Sequence, residues 1–137
     1  MATLTGTACA IGVQPRNPVP GNFTVNFAYN ATSTISAGDV ILMGKIAHGV
    51  TIVNGYLIQE VGDTGSASLG IDDAVDDLIT SGSTSAGALI RLDHGIPYKV
   101  SVSDDATIRY HIVKVGVDSD FTGSSTFRVI LECTSDL

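Results

Sequence analysis

Asn22-Phe23-Thr24-Val25-Asn26-Phe27-Ala28-Tyr29 alternates along its length, with Phe23, Val25, Phe27 and Tyr29 on one side and Asn22, Thr24 and Asn26 on the other. A period of two belongs to a pleated strand, so one face of this segment is expected to be core and the other to face outward. The same period returns near the end of the chain, where Phe127, Val129, Leu131 and Cys133 point one way and Arg128 and Glu132 the other. Between these two strands, Asp39-Val40-Ile41-Leu42-Met43-Gly44-Lys45-Ile46 carries consecutive apolar residues that do not alternate. In Val50 to Val61, Ile52, Tyr56 and Ile58 read as one face and Val53, Leu57 and Val61 as the other, so both faces of that strand are apolar.

Each sheet of a two-layer sandwich covers one face of its strands. Strands apolar on both faces need a second cover, which is either a partner subunit or an arm or loop of the same chain. Further strands are read at Ser66–Ile71, Ala88–Leu92, Tyr98–Val102 and Thr107–Val115, with a turn through Thr32 to Gly38 and another at Ala47-His48-Gly49. Val75, Leu78 and Ile79 lie at helical spacing behind Asp72 and Asp73, which predicts one short helical turn, and Thr80 to Gly87 reads as a Ser- and Gly-rich loop. Thr, Val and Ile supply 41 of the 137 residues, and their branching at Cβ suits pleated sheet. The expected fold is therefore all-β, an antiparallel β-sandwich, jelly-roll-like, of eight or nine strands.

Gln14-Pro15-Arg16-Asn17-Pro18-Val19-Pro20-Gly21 holds three of the four prolines and cannot lie inside a sheet. Residues 1–21 are accordingly read as an extended N-terminal arm and 22–137 as the sandwich domain. Ahead of the prolines, Thr3 to Ile11 adds an edge strand, lies on a neighbouring subunit, or frays. The surface candidates are Gln14, Pro15, Pro18 and Pro20 on the arm, with Ile41, Met43, Tyr56 and Ile58 on the two doubly apolar strands.

Asp72, Asp73, Asp76 and Asp77 lack the alternate ligand positions and turn glycine of a calcium loop, and carboxylates in a first helical turn complement the helix dipole. His48, His94 and His111 are scattered, without the spacing of a zinc site. No Gly-x-Ser-x-Gly elbow is present, and Ala88-Leu89 follows Gly87 where a phosphate loop needs Lys and Ser or Thr. The absence of Trp weakens glycosidase and sugar-binding readings, and Tyr29, Tyr56, Tyr98 and Tyr110 fall in or beside strands. Catalytic, cofactor and metal residues are thus assigned to none. A net charge of -7 argues against nucleic-acid contact, and no apolar run approaches the roughly 20 residues that span a bilayer. The N-terminus has no basic segment followed by an apolar run, so the Asn22-Phe23-Thr24 and Asn30-Ala31-Thr32 glycosylation patterns are given no role. Cys9 and Cys133, near opposite ends of the chain, would be neighbours if the terminal strands are adjacent, which leaves a disulfide open, but free half-buried thiols are the preferred reading.

Gly38-Asp39-Val40-Ile41-Leu42-Met43-Gly44-Lys45-Ile46-Ala47-His48-Gly49-Val50, followed by Gly55-Tyr56-Leu57, resembles the small structural proteins of head gene clusters in tailed bacteriophages. Ser68-Leu69-Gly70-Ile71-Asp72, Asp77-Leu78-Ile79 and a last strand rich in Val, Ile and Leu continue the likeness in the same order, over residues 38 to 133. Ala47 stands where many relatives have proline. The resemblance implies a capsid decoration, or cement, protein with a β-sandwich fold, a trimer on the outside of the virion head that binds the major capsid protein and is made in the host cytoplasm. Another virion role, such as a head fibre base or tail component, or a carbohydrate-binding module, is the alternative.

Overall fold

The computed structural model describes residues 3–8, 21–47, 49–61, 65–71, 78–84, 88–92, 98–99, 110–121 and 125–135. Among the described residues ten strands follow in order: β1 (Thr3–Ala8), β2 (Gly21–Asn30), β3 (Val40–Ala47), β4 (Thr51–Val61), β5 (Gly65–Ile71), β6 (Ile79–Thr84), β7 (Ala88–Arg91), β8 (Tyr98–Lys99), β9 (Tyr110–Val117) and β10 (Thr126–Ser135). They form two sheets, β1-β3-β9-β5-β6 and β2-β10-β4-β7, with β8 pairing the start of β4. Four antiparallel pairs nest inside one another along the sequence: β2 with β10, β3 with β9, β4 with β7 and β5 with β6. That nesting makes an all-β, jelly-roll-like sandwich, with successive strands mostly on opposite sheets. No helix occurs among the described residues.

The alternation read in β2 and β10 is what the sandwich uses. Phe23, Val25 and Phe27 are buried opposite Cys133, Leu131 and Val129, and all six side chains enter the core between the sheets. Val113, Val115 and Val117 of β9 and Ala67, Leu69 and Ile71 of β5 supply the facing layer. At one end of the core, Phe121 meets Phe127 edge to face, with ring centroids 5.1 Å apart. The segment before β3 is stitched to the segment before β10 by Ile35 and Phe121, which exchange backbone hydrogen bonds of 2.9 and 2.8 Å. Ser36 to Asp39 forms the turn into β3; Asp39 N–H donates to Ser36 O at 3.0 Å, and Gly38 takes the left-handed φ of 93° that such a turn favours. The buried Asp39 carboxylate accepts from Ser36 N–H at 2.9 Å, fixing the turn from within.

Several expectations are revised. In β4 the bulge between its pairings to Glu132 and Cys133 inserts Val53, so the side-chain phase flips there. Ile52 is buried with Leu57, while Tyr56 and Ile58 lie on the outer side with Asn54, a different division from the unbroken period of two. Thr80 to Gly87 is not all loop, because Ile79–Thr84 is β6, held by antiparallel pairing to β5. Leu78 and Ile79 are a bend and the start of that strand, so they end no helix; the rest of the expected helical turn, residues 72–77, lies outside the described residues. The penultimate long strand runs Tyr110–Val117, and Thr107 to Arg109 fall outside the described residues. Thr3–Ala8 is an edge strand, parallel to β3 with Thr3 opposite Val40, whereas the arm residues 9–20 lie outside the described residues.

Candidate interaction surface

The two doubly apolar strands meet different fates. In β3, a bulge at Met43 keeps Ile41, Met43, Gly44 and Ile46 on the inner side, and Ile41 and Met43 have no exposed area. These two are covered wholly by their own chain. Gly44 is required by the same packing: a Cβ there would sit 2.3 Å from the Phe27 ring. In β4, by contrast, Tyr56 and Ile58 are half-buried and outward. Gly55 between the sheets leaves no room for a methyl group, since a Cβ would lie 2.7 Å from Ile130 O.

Cross-strand register assembles the surface around Tyr56 and Ile58. One row runs Asn26, Ile130, Tyr56, Arg91; the next runs Ala28, Arg128, Ile58, Leu89. Residues directly opposite in antiparallel strands share a face, so these rows form one surface on the outer side of the second sheet. Its middle is apolar, with Ile130, Tyr56 and Ile58 half-buried and Leu89 54 % exposed. Two arginines are set into it. Arg91 lies 5.7 Å from the Tyr56 ring centroid, within cation–π reach, and Arg128 Nη1 donates to Asn26 Oδ1 at 3.0 Å. Toward β2 the surface turns polar through Asn22, Thr24, Asn26 and Asn30, all exposed. The bulged Val53 is 43 % exposed beside a recess of about 260 Å³ lined by Asn22, Phe23, Thr24, Val53, Glu132 and Cys133.

The outer side of the first sheet is different in kind. Ser68 and Gly116, opposite each other on that side, are buried within the chain, with Ser68 Oγ donating to Gly116 O at 3.5 Å. Lys45 and Lys114 stand beside Ile112 and Leu42 on the same side, all half-buried.

Of the residues singled out in the sequence, Tyr56 and Ile58 are brought together on the accessible face, and Ile41 and Met43 are in the core. Gln14, Pro15, Pro18, Pro20, Cys9, His48, His94 and the cluster Asp72, Asp73, Asp76 and Asp77 lie outside the described residues. His111 is buried on the inner side of β9. Cys133 is a free thiol with 1 % exposure, and burial pushes its pKa up to about 12, which keeps it neutral and poorly nucleophilic. Among the described residues no three His, Cys, Asp or Glu side chains converge on a point. No local pattern marks Leu89 or Arg91 as part of this surface; the one local signal is Ile130, apolar at an outward position of an otherwise alternating strand.

By sequence, the chain matches no family profile and no curated protein. Two solved structures share its fold. A chain of the structure titled "Capsid of Ralstonia phage GP4" superposes with a TM-score of 0.72 at 16% identity, covering 98% of this chain and 99% of that one. A chain of "Cyanophage Pam1 capsid asymmetric unit" superposes with a TM-score of 0.59 at 17% identity, covering 94% and 96%. In both, the likeness spans at least 94% of each chain, so the jelly-roll-like sandwich of this protein is one that phage capsids contain as a separate chain.

Proposed function

We propose that the chain is a decoration, or cement, subunit of a tailed-phage head, assembled as a homo-oligomer on the outer surface and bridging major capsid subunits. The observation that carries this reading is the coverage of 98% and 99% in the match to a chain of a phage capsid. A sandwich inserted in a larger shell subunit would cover only a fraction of that subunit. The resemblance of residues 38 to 133 to head proteins points the same way.

The outer face of the second sheet supports the reading physically. Strands about 4.8 Å apart and a ten-residue β10 rising about 3.4 Å per residue give a face of roughly 19 by 34 Å. That is on the scale of the about 800 Å² that each partner contributes to a standard interface. An apolar middle with Tyr and Arg at its centre is the composition of an interface core. A bridging subunit binds only the assembled shell, so its binding free energy adds to the stability of the joints against the pressure of packaged DNA.

Sedimentation with heads that lack the protein tests this reading. The wild-type chain is expected to co-sediment, and Ile58→Glu to lose affinity by roughly tenfold or more, about 1.4 kcal/mol, as loss of a central contact does. The isolated variant should remain folded, because Ile58 is half-exposed and opposite Arg128, which can pair with the new carboxylate. A wild-type chain left in the supernatant would overturn the proposal.

A further inference from the structure

We infer that the recess beside Val53 receives a basic side chain, an arginine or lysine, of a major capsid subunit, with Glu132 as its counter-charge. The inference rests on the decoration reading and names the chemistry of one contact within it.

Glu132 is exposed on β10, and its register partners are Thr24 on β2 and Asn54 on β4. Ile130 and Thr134 flank it on the same side of its own strand, so the positions around the carboxylate are uncharged. Arg128 on that side is four residues away, about 14 Å along the strand, and its Nη1 is turned to Asn26. The recess of about 260 Å³ opens beside this carboxylate. Phe23 and Cys133, whose side chains are in the core, line it from beneath, and Asn22, Thr24 and Val53 stand around it. Its far wall comes from the bulge in β4, which breaks the even pleat and leaves Val53 43 % exposed.

Size and chemistry select the occupant. The volume is below the about 300 Å³ at which small-molecule pockets begin, a scale that suits one side chain. A sugar ring would want an aromatic face to stack on, and Phe23 is buried. A hard cation takes about six to eight oxygens, usually with several carboxylates, and Glu132 is the one carboxylate lining the recess. An arginine or lysine fits every wall. Its N–H groups donate to the Glu132 carboxylate, to the Thr24 hydroxyl and to the Asn22 amide oxygen, and its methylene stem packs on Val53.

The position of the recess supplies the need for such a partner. Glu132 is two residues, about 7 Å, from Ile130 in the apolar middle of the docking face. A capsid subunit that covers Ile130 also takes water from Glu132, and a carboxylate buried without a cation is costly. A partner that brings the cation removes that cost and fixes the register of docking.

Co-sedimentation of full-length variants with heads lacking the protein tests the contact. Glu132→Gln keeps the size of the side chain and removes its charge at an exposed position, so thermal unfolding of the isolated chain should match the wild type. The expected result is binding at least tenfold weaker than wild type, with a shallower dependence on salt, and Glu132→Lys weaker still. Carbodiimide coupling of the wild-type complex then separates the two cations: a Glu132 peptide joined to a capsid lysine identifies lysine, and weakened Glu132→Gln binding without such a product identifies arginine. Glu132→Gln binding as tightly as wild type, or weaker with unaltered salt dependence, overturns the inference while leaving the decoration reading in place. A wild-type chain that stays in the supernatant overturns both.

Discussion

Two buried polar atoms test the packing residue by residue. Ser125 is fully buried and its Oγ has no hydrogen-bond partner among the described residues, while its backbone carbonyl accepts from Ala31 N–H at 2.9 Å. An unsatisfied buried hydroxyl costs desolvation without return, so Ser125→Ala should leave stability unchanged or raise it by up to about 1 kcal/mol, measured by urea denaturation. Cys133 gives a pH signature. Its folded pKa of about 12 lies above that of an ordinary thiol, so in the alkaline range the unfolded chain releases a proton that the folded chain holds. Its contribution to stability is complete below about pH 9 and is lost as pH rises toward 12, at about 1.4 kcal/mol per pH unit. Comparing the alkaline slope of stability in the wild type and Cys133→Ala isolates this group; equal slopes would refute the assignment.

At the scale of strands, the bulges at Met43 and Val53 set which residues the molecule hides and which it presents. Without the bulge in β4, Ile52 would share a face with Tyr56 and Ile58, and the face they now form would be interrupted. Gly55 holds the register next to that bulge, where a methyl group would press on the backbone of β10. Gly55→Ala is therefore expected to cost about 1–3 kcal/mol in thermal or urea unfolding, the range for overpacking a tight site, whereas a surface effect would stay within about 0.5 kcal/mol. These elements also mark how far the sequence could be read. Phe23, Val25, Phe27, Phe127, Val129 and Leu131 announce their strands because alternation is local. A bulge adds one residue and shifts the phase without any composition cue, so a strict period of two misdivides the faces of β4. β6 was hidden because Ser81, Gly82 and Ser83 carry no apolar signal; its order comes from backbone pairing to β5. For the surface, Tyr56 and Ile58 were legible as surplus apolar residues, but Leu89, Arg91 and Arg128 reach them by pairing across long sequence separations, which no local pattern encodes.

For the molecule as a whole, nested pairing leaves two outer faces that are not equivalent. The first sheet has Ser68 and Gly116 already covered on its outer side, and the second offers a broad apolar middle with two arginines. A chain of net charge -7 that keeps Arg91 and Arg128 on this face suits a partner surface with some acidic character, and disfavours packing the face on its own copy, where the arginines would repel. The strength of head binding should accordingly fall as salt is raised, which co-sedimentation at increasing ionic strength would show. The most direct measurement is a density map of the assembled virion. The sandwich is expected on the outside of the shell, with Tyr56, Ile58 and Ile130 buried against capsid subunits. A map that shows the second sheet facing solvent, or the chain inside the shell or missing from it, would overturn the decoration role.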